Sequence, residues 1–391
     1  MTLADWLDRR TGWRSLAARA RADLSKPVPR HVNSLFALGT VAGTFLAVQV
    51  ATGVLLLFHY RASADAAHGS LEALLSDVPS GWFVRSLHAW GAHLFVATLL
   101  LHMGRVFLYG GYKRPRELTW ILGCLLLLLG LGIAFTGSVL PWDQRAYWAT
   151  TVGTRMAEAA PLVGEELLRL VRGGEEVGEA TLGRMFALHV AVLPLCLLPV
   201  LGAHLWLVRR LGVSTLEDAD AEERVGHARL CEGGEPFFPH HVLREAFVAN
   251  LALGLLFLLA ILAPAGLGPR ADPLETPPGV RPEWYFLPVY QLQKYMPRSL
   301  LGIEGNTLGF LASIPPVLLL LALPFLDRGP ARTPSRRKGA MALGLLVLGL
   351  GGALGVLGYL SNRTVRAFGR TYVLDDRGFP ERAAGPGTEP R

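Results

Sequence analysis

Apolar residues crowd into seven stretches, at about 34–58, 83–108, 117–139, 184–208, 246–263, 307–326 and 339–360, with polar segments between them. All but the short fifth reach roughly 20 residues, the length at which an α-helix crosses a bilayer core of about 30 Å. A backbone in lipid has to satisfy its own polar groups, so these stretches are predicted to be helices. The polar segments divide the chain into an amphipathic N-terminal segment (1–30), a four-helix part (31–210), a linker (211–245), a three-helix part (246–360) and a polar tail (361–391). The expected fold is an all-α membrane protein with seven transmembrane helices, a four-helix bundle followed by a three-helix C-terminal part.

Composition agrees with this pattern. The 391 residues are 51% hydrophobic and 18% charged, with a mean hydropathy of +0.36. Residues 1–30 are rich in arginine and lack the continuous apolar core of a cleavable signal peptide; a surface helix or a basic tail both fit them. Cys124, Cys196 and Cys231 form neither a CxxC nor a CxxCH pattern, so the sequence suggests no disulfide framework and no covalently held c-type haem.

The net charge of +7 is informative about orientation rather than nucleic acid, and no nucleic-acid partner is expected. Residues 1–30 carry seven Lys or Arg, the 327–338 loop carries five (Arg328, Arg332, Arg336, Arg337 and Lys338), and the 59–82 loop has only Arg61. With seven spans the N-terminus and the 327–338 loop share a side, which the basic-inside rule makes cytoplasmic. The expected location is a bacterial-type inner membrane, multi-pass. The six arginines after residue 361 fall outside and count mildly against this orientation.

Two of the apolar stretches carry paired histidines. His88 and His102 are 14 residues apart in the second, and His189 and His204 are 15 apart in the fourth. Both separations return to nearly one helix face about four turns on, some 21–22 Å along the axis. The second and fourth helices run the same way, so equal depth pairs His88 with His189 near the outer face and His102 with His204 near the inner one. Imidazole is a good axial ligand for haem iron, and two such helices could clamp two flat cofactors. Lone membrane histidines are more often hydrogen-bonded structural residues; four at matched depths favour ligation.

Glycines repeat at the same period: Gly39 and Gly53 in the first helix, Gly123 and Gly137 in the third. A missing side chain lets a macrocycle approach the backbone, and ordinary small-residue packing is the alternative. Arg85 and Arg105 flank the second-helix histidines, suited to haem propionates or to lipid headgroups.

The segments Arg85-Ser-Leu-His88-Ala-Trp-Gly-Ala, Leu101-His102-Met-Gly-Arg105, Pro141-Trp142-Asp143-Gln144 and Pro282-Glu283-Trp284-Tyr285 resemble the cytochrome b subunit of quinol:cytochrome c oxidoreductases, over about residues 27–326. The photosynthetic type is the nearer likeness, on Pro29-Arg-His31-Val-Asn33, Gly110-Gly-Tyr-Lys-Arg-Pro-Arg-Glu-Leu-Thr-Trp120 and Leu140-Pro-Trp-Asp-Gln-Arg-Ala-Tyr-Trp148, and on the 15-residue histidine spacing. That type divides the two halves between two chains, whereas here they are fused. It also has a cysteine holding an extra haem where this chain has Ala37, so no thioether-linked third haem is expected.

The resemblance implies two noncovalent, bis-histidine b-type haems (His88/His189 outer, His102/His204 inner) and two quinone sites. At the outer site Glu283 would accept a proton from quinol, with Tyr285 and Tyr147 shaping the pocket. An ionisable group in an apolar membrane pocket is costly, which makes function its default explanation, and burial shifts carboxyls toward the range useful for acid–base work. Ala149 stands at a position that differs between the two family types and could alter inhibitor sensitivity. At the inner site, Asp23, Arg209, His240, His241, Arg244 and Glu245 could deliver protons to quinone, or could equally be solvated loop residues.

The implied partners are a Rieske iron–sulfur protein, a c-type cytochrome and a second copy of the complex. Two rivals remain at this level: a haem-b membrane anchor of a quinone-linked dehydrogenase, which needs no Pro-Glu-Trp-Tyr loop, and a transporter or assembly protein without redox chemistry.

Overall fold

The structure is a computed structural model that describes residues 2–367 and 370–380. Among the described residues, seven long helices are apolar enough to cross a membrane: α1 Ser34–Leu57, α2 Gly81–Leu108, α3 Glu117–Val139, α4 Glu179–Leu211, α5 Phe237–Leu262, α6 Gly305–Leu326 and α7 Lys338–Leu360. Asn33 caps α1, its side chain accepting from Leu35 N at 3.0 Å. Pro315, Pro316 and Pro324 lie inside α6, tolerated there as membrane helices tolerate proline when neighbours satisfy the freed backbone groups. Exposed Leu and Phe side chains cover the outward faces of α4, α5 and α7, the surface a bilayer or a partner subunit would cover.

The first four spans pack as two tight pairs, α1 against α2 and α3 against α4, while α2 and α4 barely approach each other. Between α2 and α4 lies the room that the histidine spacing calls for. In the other half α5 packs on α1 and α2, and α6 on α3. Val41, Phe45, Leu87 and Phe95 form a core with Leu256 and Ala260 of α5, which joins the two halves.

The fifth span corrects the sequence boundary. It is helical from just after the extended Phe238 rather than from near 246, because the polar residues ahead of the apolar run are helical and find partners. Arg244 donates to Val32 O at 3.0 Å and pairs with Glu235 at 2.7 Å, and His241 Nε2 is 3.3 Å from Glu245. A two-residue ladder, Pro27–Val28 with Glu235–Pro236, ties the N-terminal segment to this helix start. Residues 3–24 form two short helices, Leu3–Thr11 and Trp13–Leu24, with Leu3, Trp6, Trp13 and Leu16 exposed among arginines, so they are helical and amphipathic. Within the described part of the tail, Thr364–Ala367 and Arg370–Val373 pair antiparallel.

The basic 327–338 loop faces other groups as well as water. Arg332 is fully buried and pairs with Glu222 at 2.5 Å. Arg337 donates to Tyr112 Oη at 2.8 Å and to the Phe107 and Leu108 carbonyls, and Lys113 meets Asp327 at 2.7 Å. Glu222 also receives Arg116, at 2.6 Å. Three of the five cations counted toward orientation, Arg332, Arg337 and Arg336 (the last through Asp218 at 2.9 Å), therefore pin the second half of the chain to the α2–α3 loop and the linker.

Candidate haem and quinone sites

His88 and His189 meet across the space between α2 and α4, with ring centroids 6.1 Å apart and planes at 78°. Imidazole bonds a metal at about 2 Å, so two rings on opposite sides of one ion have centroids roughly 6 Å apart once half a ring is added on each side. Among the described residues no three His, Cys, Asp or Glu side chains converge. A bare ion would be under-coordinated by two imidazoles, whereas a macrocycle that supplies its own equatorial ligands needs two.

The extra residue in the 15-residue spacing has a physical home. Residues Leu188–Val192 form a π turn, in which Leu193 N–H bonds Leu188 O. A π turn absorbs one residue relative to an α-helix, which brings His189 and His204 into step with the 14-residue pair on α2.

Ring orientation is fixed from behind. Thr52 Oγ1 gives its proton to Val48 O at 2.6 Å, so it accepts from His88 Nδ1–H at 2.9 Å. His189 Nδ1 donates to Ile133 O at 2.9 Å, and His204 Nδ1 to Thr119 O at 3.0 Å. In all three the Nε2 atom is left free as the ligand, the usual outer-shell arrangement of a metal-binding histidine. The exception is His102: the neighbour of its Nδ1 is Arg105 Nη2 at 3.4 Å, and arginine can only donate.

Every glycine of the 14-residue repeat lies against one of these rings. A Cβ at Gly39 would stand 3.2 Å from His102 Cε1, at Gly53 3.3 Å from His88, at Gly123 3.4 Å from His204 and at Gly137 2.5 Å from His189. The glycines make room for the imidazoles, a more specific role than room for a macrocycle. Arg105 lies over the Phe36 ring at 4.4 Å, and its buried Nε has no hydrogen-bond partner, which suits an anionic group such as a propionate. Arg85 instead donates to the Ala265 and Gly266 carbonyls. The residues present fit two haems.

At the far end from the basic loop, Pro141–Arg145 clamps the α5–α6 connection. Asp143 caps the Gln144–Glu158 helix through Ala146 N at 2.8 Å and accepts Gly268 N at 3.1 Å. Gln144 N donates to Pro269 O at 2.9 Å, and Gln144 Oε1 accepts Asp272 N at 3.0 Å. That loop carries Glu283, which pairs with Arg145 at 2.8 Å and lies 3.9 Å from His93 Nε2. The Tyr285 ring is 6.2 Å from His93. Burial, and then the Glu283 charge, push the Tyr285 phenol well above its ordinary range, so it is a hydroxyl donor at any physiological pH.

On the basic face a second cluster forms. His31 stacks on Tyr109 at 6.0 Å and meets Phe36 edge-on, while Arg209 covers Phe237 at 4.2 Å and Phe237 lies 5.4 Å from His241. Phe36, Tyr109 and Phe237 share one apolar cluster. His31 Nε2 and His241 Nδ1, like Arg105 Nε, are buried and unpartnered.

Residues 23–212 match the family described as Cytochrome b/b6/petB, and residues 270–372 match Cytochrome b(C-terminal)/b6/petD. A cytochrome bc complex cytochrome b subunit of Chlorobaculum thiosulfatiphilum is 40% identical over 308 residues, covering 78% of this chain and 69% of that one. The chain belongs to the cytochrome b family. A cytochrome b of Rhodospirillum rubrum is 35% identical over 316 residues, covering 80% and 74% of the two chains. A solved chain of a hyperthermophilic respiratory Complex III superposes with a TM-score of 0.79 at 31% identity, over 92% of each chain.

In this cytochrome b the predicted site residues divide by neighbourhood. Glu283 and Tyr285 come together with Arg145. Tyr147 packs on Trp142 and Trp148 instead; its phenol is raised by burial and by Glu176. Arg105, His241 and Glu245 gather on the basic face, Arg209 sits at its rim and His240 is exposed. Arg244 is taken up by Val32 and Glu235. Asp23 lies on a described helix, but its side chain is outside the described residues. Two histidines escaped the sequence reading as site residues. His31 sits in a motif quoted for likeness alone, and His93 follows His88 by five residues with only its histidine identity as a signal. The family match to residue 372 also takes in the start of the tail.

Proposed function

We propose that the chain is the di-haem subunit of a bc-type complex, oxidising quinol at the Glu283 end and reducing quinone at the basic face. The observation that carries the reading is the opposed imidazoles of His88 and His189, in a set of four histidines each backed by a glycine and three of them held by Nδ1 with Nε2 free. His88 with His189 and His102 with His204 would hold one b-type haem each. The bound haems supply one-electron carriage between the two faces.

The chain's own groups do the rest. Glu283 offers a carboxylate to quinol beside the Tyr285 hydroxyl, and the Asp143–Gln144 clamp holds that loop in place. On the other face His31, Arg105 and His241 offer unsatisfied polar atoms between aromatic walls, suited to a quinone ring and its two oxygens. The basic face would be cytoplasmic, in a bacterial-type inner membrane. An iron–sulfur protein and a c-type cytochrome would be the partner subunits, in a complex that pairs with its own copy.

A dehydrogenase anchor would share the haems but has no use for Glu283, which supports the bc-type reading. The test is haem counting in purified complex. His88→Leu and His102→Leu should each leave one extractable haem per chain, with different remaining potentials. Two haems in either variant would overturn the pairing.

A further inference from the structure

His93 stands opposite Glu283 on the half-buried side of the outer site. Glu283 Oε1 is committed to the exposed Arg145 at 2.8 Å, while Oε2 faces His93 Nε2 across 3.9 Å. That gap is too long for a direct hydrogen bond and has room for one quinol hydroxyl, which donates to an unprotonated His93 Nε2 beside the carboxylate. Trp90, 5.8 Å from the His93 ring, and Tyr285, at 6.2 Å, close two further sides. The other nitrogen, His93 Nδ1, is buried with no partner. An ionisable ring with an unsatisfied nitrogen in a membrane helix is expensive, and function is its default explanation. The charged and titratable groups facing it are Glu283 and Tyr285 from the 283–286 turn and Arg145 from the Gln144–Glu158 helix.

We infer that His93 and Glu283 form a joint proton acceptor for quinol at the outer site. The inference rests on the quinol-oxidation reading and deepens it. Overall, quinol loses two protons and two electrons and becomes quinone. One quinol O–H bond breaks, and its proton goes to His93 Nε2, which forms an imidazolium beside the carboxylate. Once the oxidised ring has left, a water bridging the 3.9 Å gap carries the proton from His93 Nε2 to Glu283 Oε2, from which it leaves past Arg145. The two electrons would leave singly, one to an iron–sulfur partner and one to the haem that His88 and His189 would hold. The second hydroxyl lies across the quinol ring, and its proton departs at a group outside this pair. Imidazole suits the task because its ordinary pKa is the closest of any side chain to neutrality.

The test uses the whole complex with quinol and oxidised cytochrome c as substrates. His93→Gln should keep two haems per chain and keep haem reduction through the basic face. It should lower kcat for quinol-driven cytochrome c reduction by on the order of 10²-fold, the usual worth of a positioned base. KM should change little, and the pH profile of kcat should lose one of its acid-side breaks. Full activity with an unchanged pH profile would overturn the inference, and so would a loss that leaves the profile's shape intact, since that marks a structural role. Glu283→Gln separates the two layers: an active Glu283→Gln sinks the outer-site reading itself, whereas an inactive Glu283→Gln beside an active His93→Gln sinks only His93. If His93→Gln fails to load haem, His93→Asn replaces it. If both fail, the unaltered complex decides: two breaks on the acid side of its pH profile support the pair, and a single break overturns it.

Discussion

Gly137 has no room for a side chain because His189 fills it: a Cβ there would stand 2.5 Å from the ring's Cε1 and 2.9 Å from Nδ1. The ring cannot easily yield, since Nδ1 is held by Ile133 O at 2.9 Å. Gly137→Ala should therefore displace His189 and deplete the haem it shares with His88, leaving about one haem per chain by pyridine haemochrome. Gly123→Ala, at 3.4 Å from His204, should retain both haems. Equal retention in the two variants would show that the glycines serve helix packing rather than the imidazoles.

Thr52 should tune the same haem without touching it. Its hydroxyl accepts from His88 Nδ1–H, and such outer-shell partners typically control metal affinity by about 10–100-fold. Thr52→Val keeps the shape, removes the acceptor and leaves a buried N–H unsatisfied. The expected outcome is weaker haem retention and a changed midpoint potential for the His88/His189 haem alone, while Thr52→Ser behaves like the parent. Redox titration followed at the haem absorption bands checks both.

The Asp143 clamp gives a prediction with the opposite signature. Asp143→Ala removes a helix N-cap, worth roughly 1 kcal/mol, and releases Gly268 N from the loop that carries Glu283. Quinol oxidation should fall while haem content and spectrum stay unchanged. Loss of haem in this variant would mean that the segment supports the bundle rather than the loop.

How legible these features were depended on sequence distance. The depths of the four histidines could be read because His88 and His102 lie on one helix and His189 and His204 on another, where spacing alone gives depth. The glycines could be read as a period, but their contacts with the rings depend on α1 lying against α2 and α3 against α4. His93 was invisible because its meaning comes from Glu283, which lies 190 residues further along the chain. The start of α5 was missed because Arg244 and Glu245 look like loop residues until Glu235, Val32 and His241 are brought to meet them. Arg332 entered the sequence reading only as one of five loop cations; its burial depends on Glu222, a residue of the linker.

That linker cluster yields a stability prediction with a pH sign. Burial alone would raise the Glu222 carboxyl, but hydrogen bonds from His227 and Arg116 and the charges of Arg116 and Arg332 outweigh it and hold the group far below its ordinary 4.5. A depressed carboxylate adds stability that is fully present above the unfolded value and is lost as pH falls toward the folded one. The contribution should therefore be intact above about pH 4.5 and decline below it. Arg332→Ala leaves the buried carboxylate short of one partner and should destabilise the chain by about 3–5 kcal/mol at neutral pH. Glu222→Gln should also lower the melting temperature at pH 7, with a smaller further drop on acidification than the parent shows. Thermal melts in detergent at pH 7 and pH 4 measure both, and an Arg332→Ala variant that melts like the parent at pH 7 would show that the two halves are joined by their apolar contacts alone.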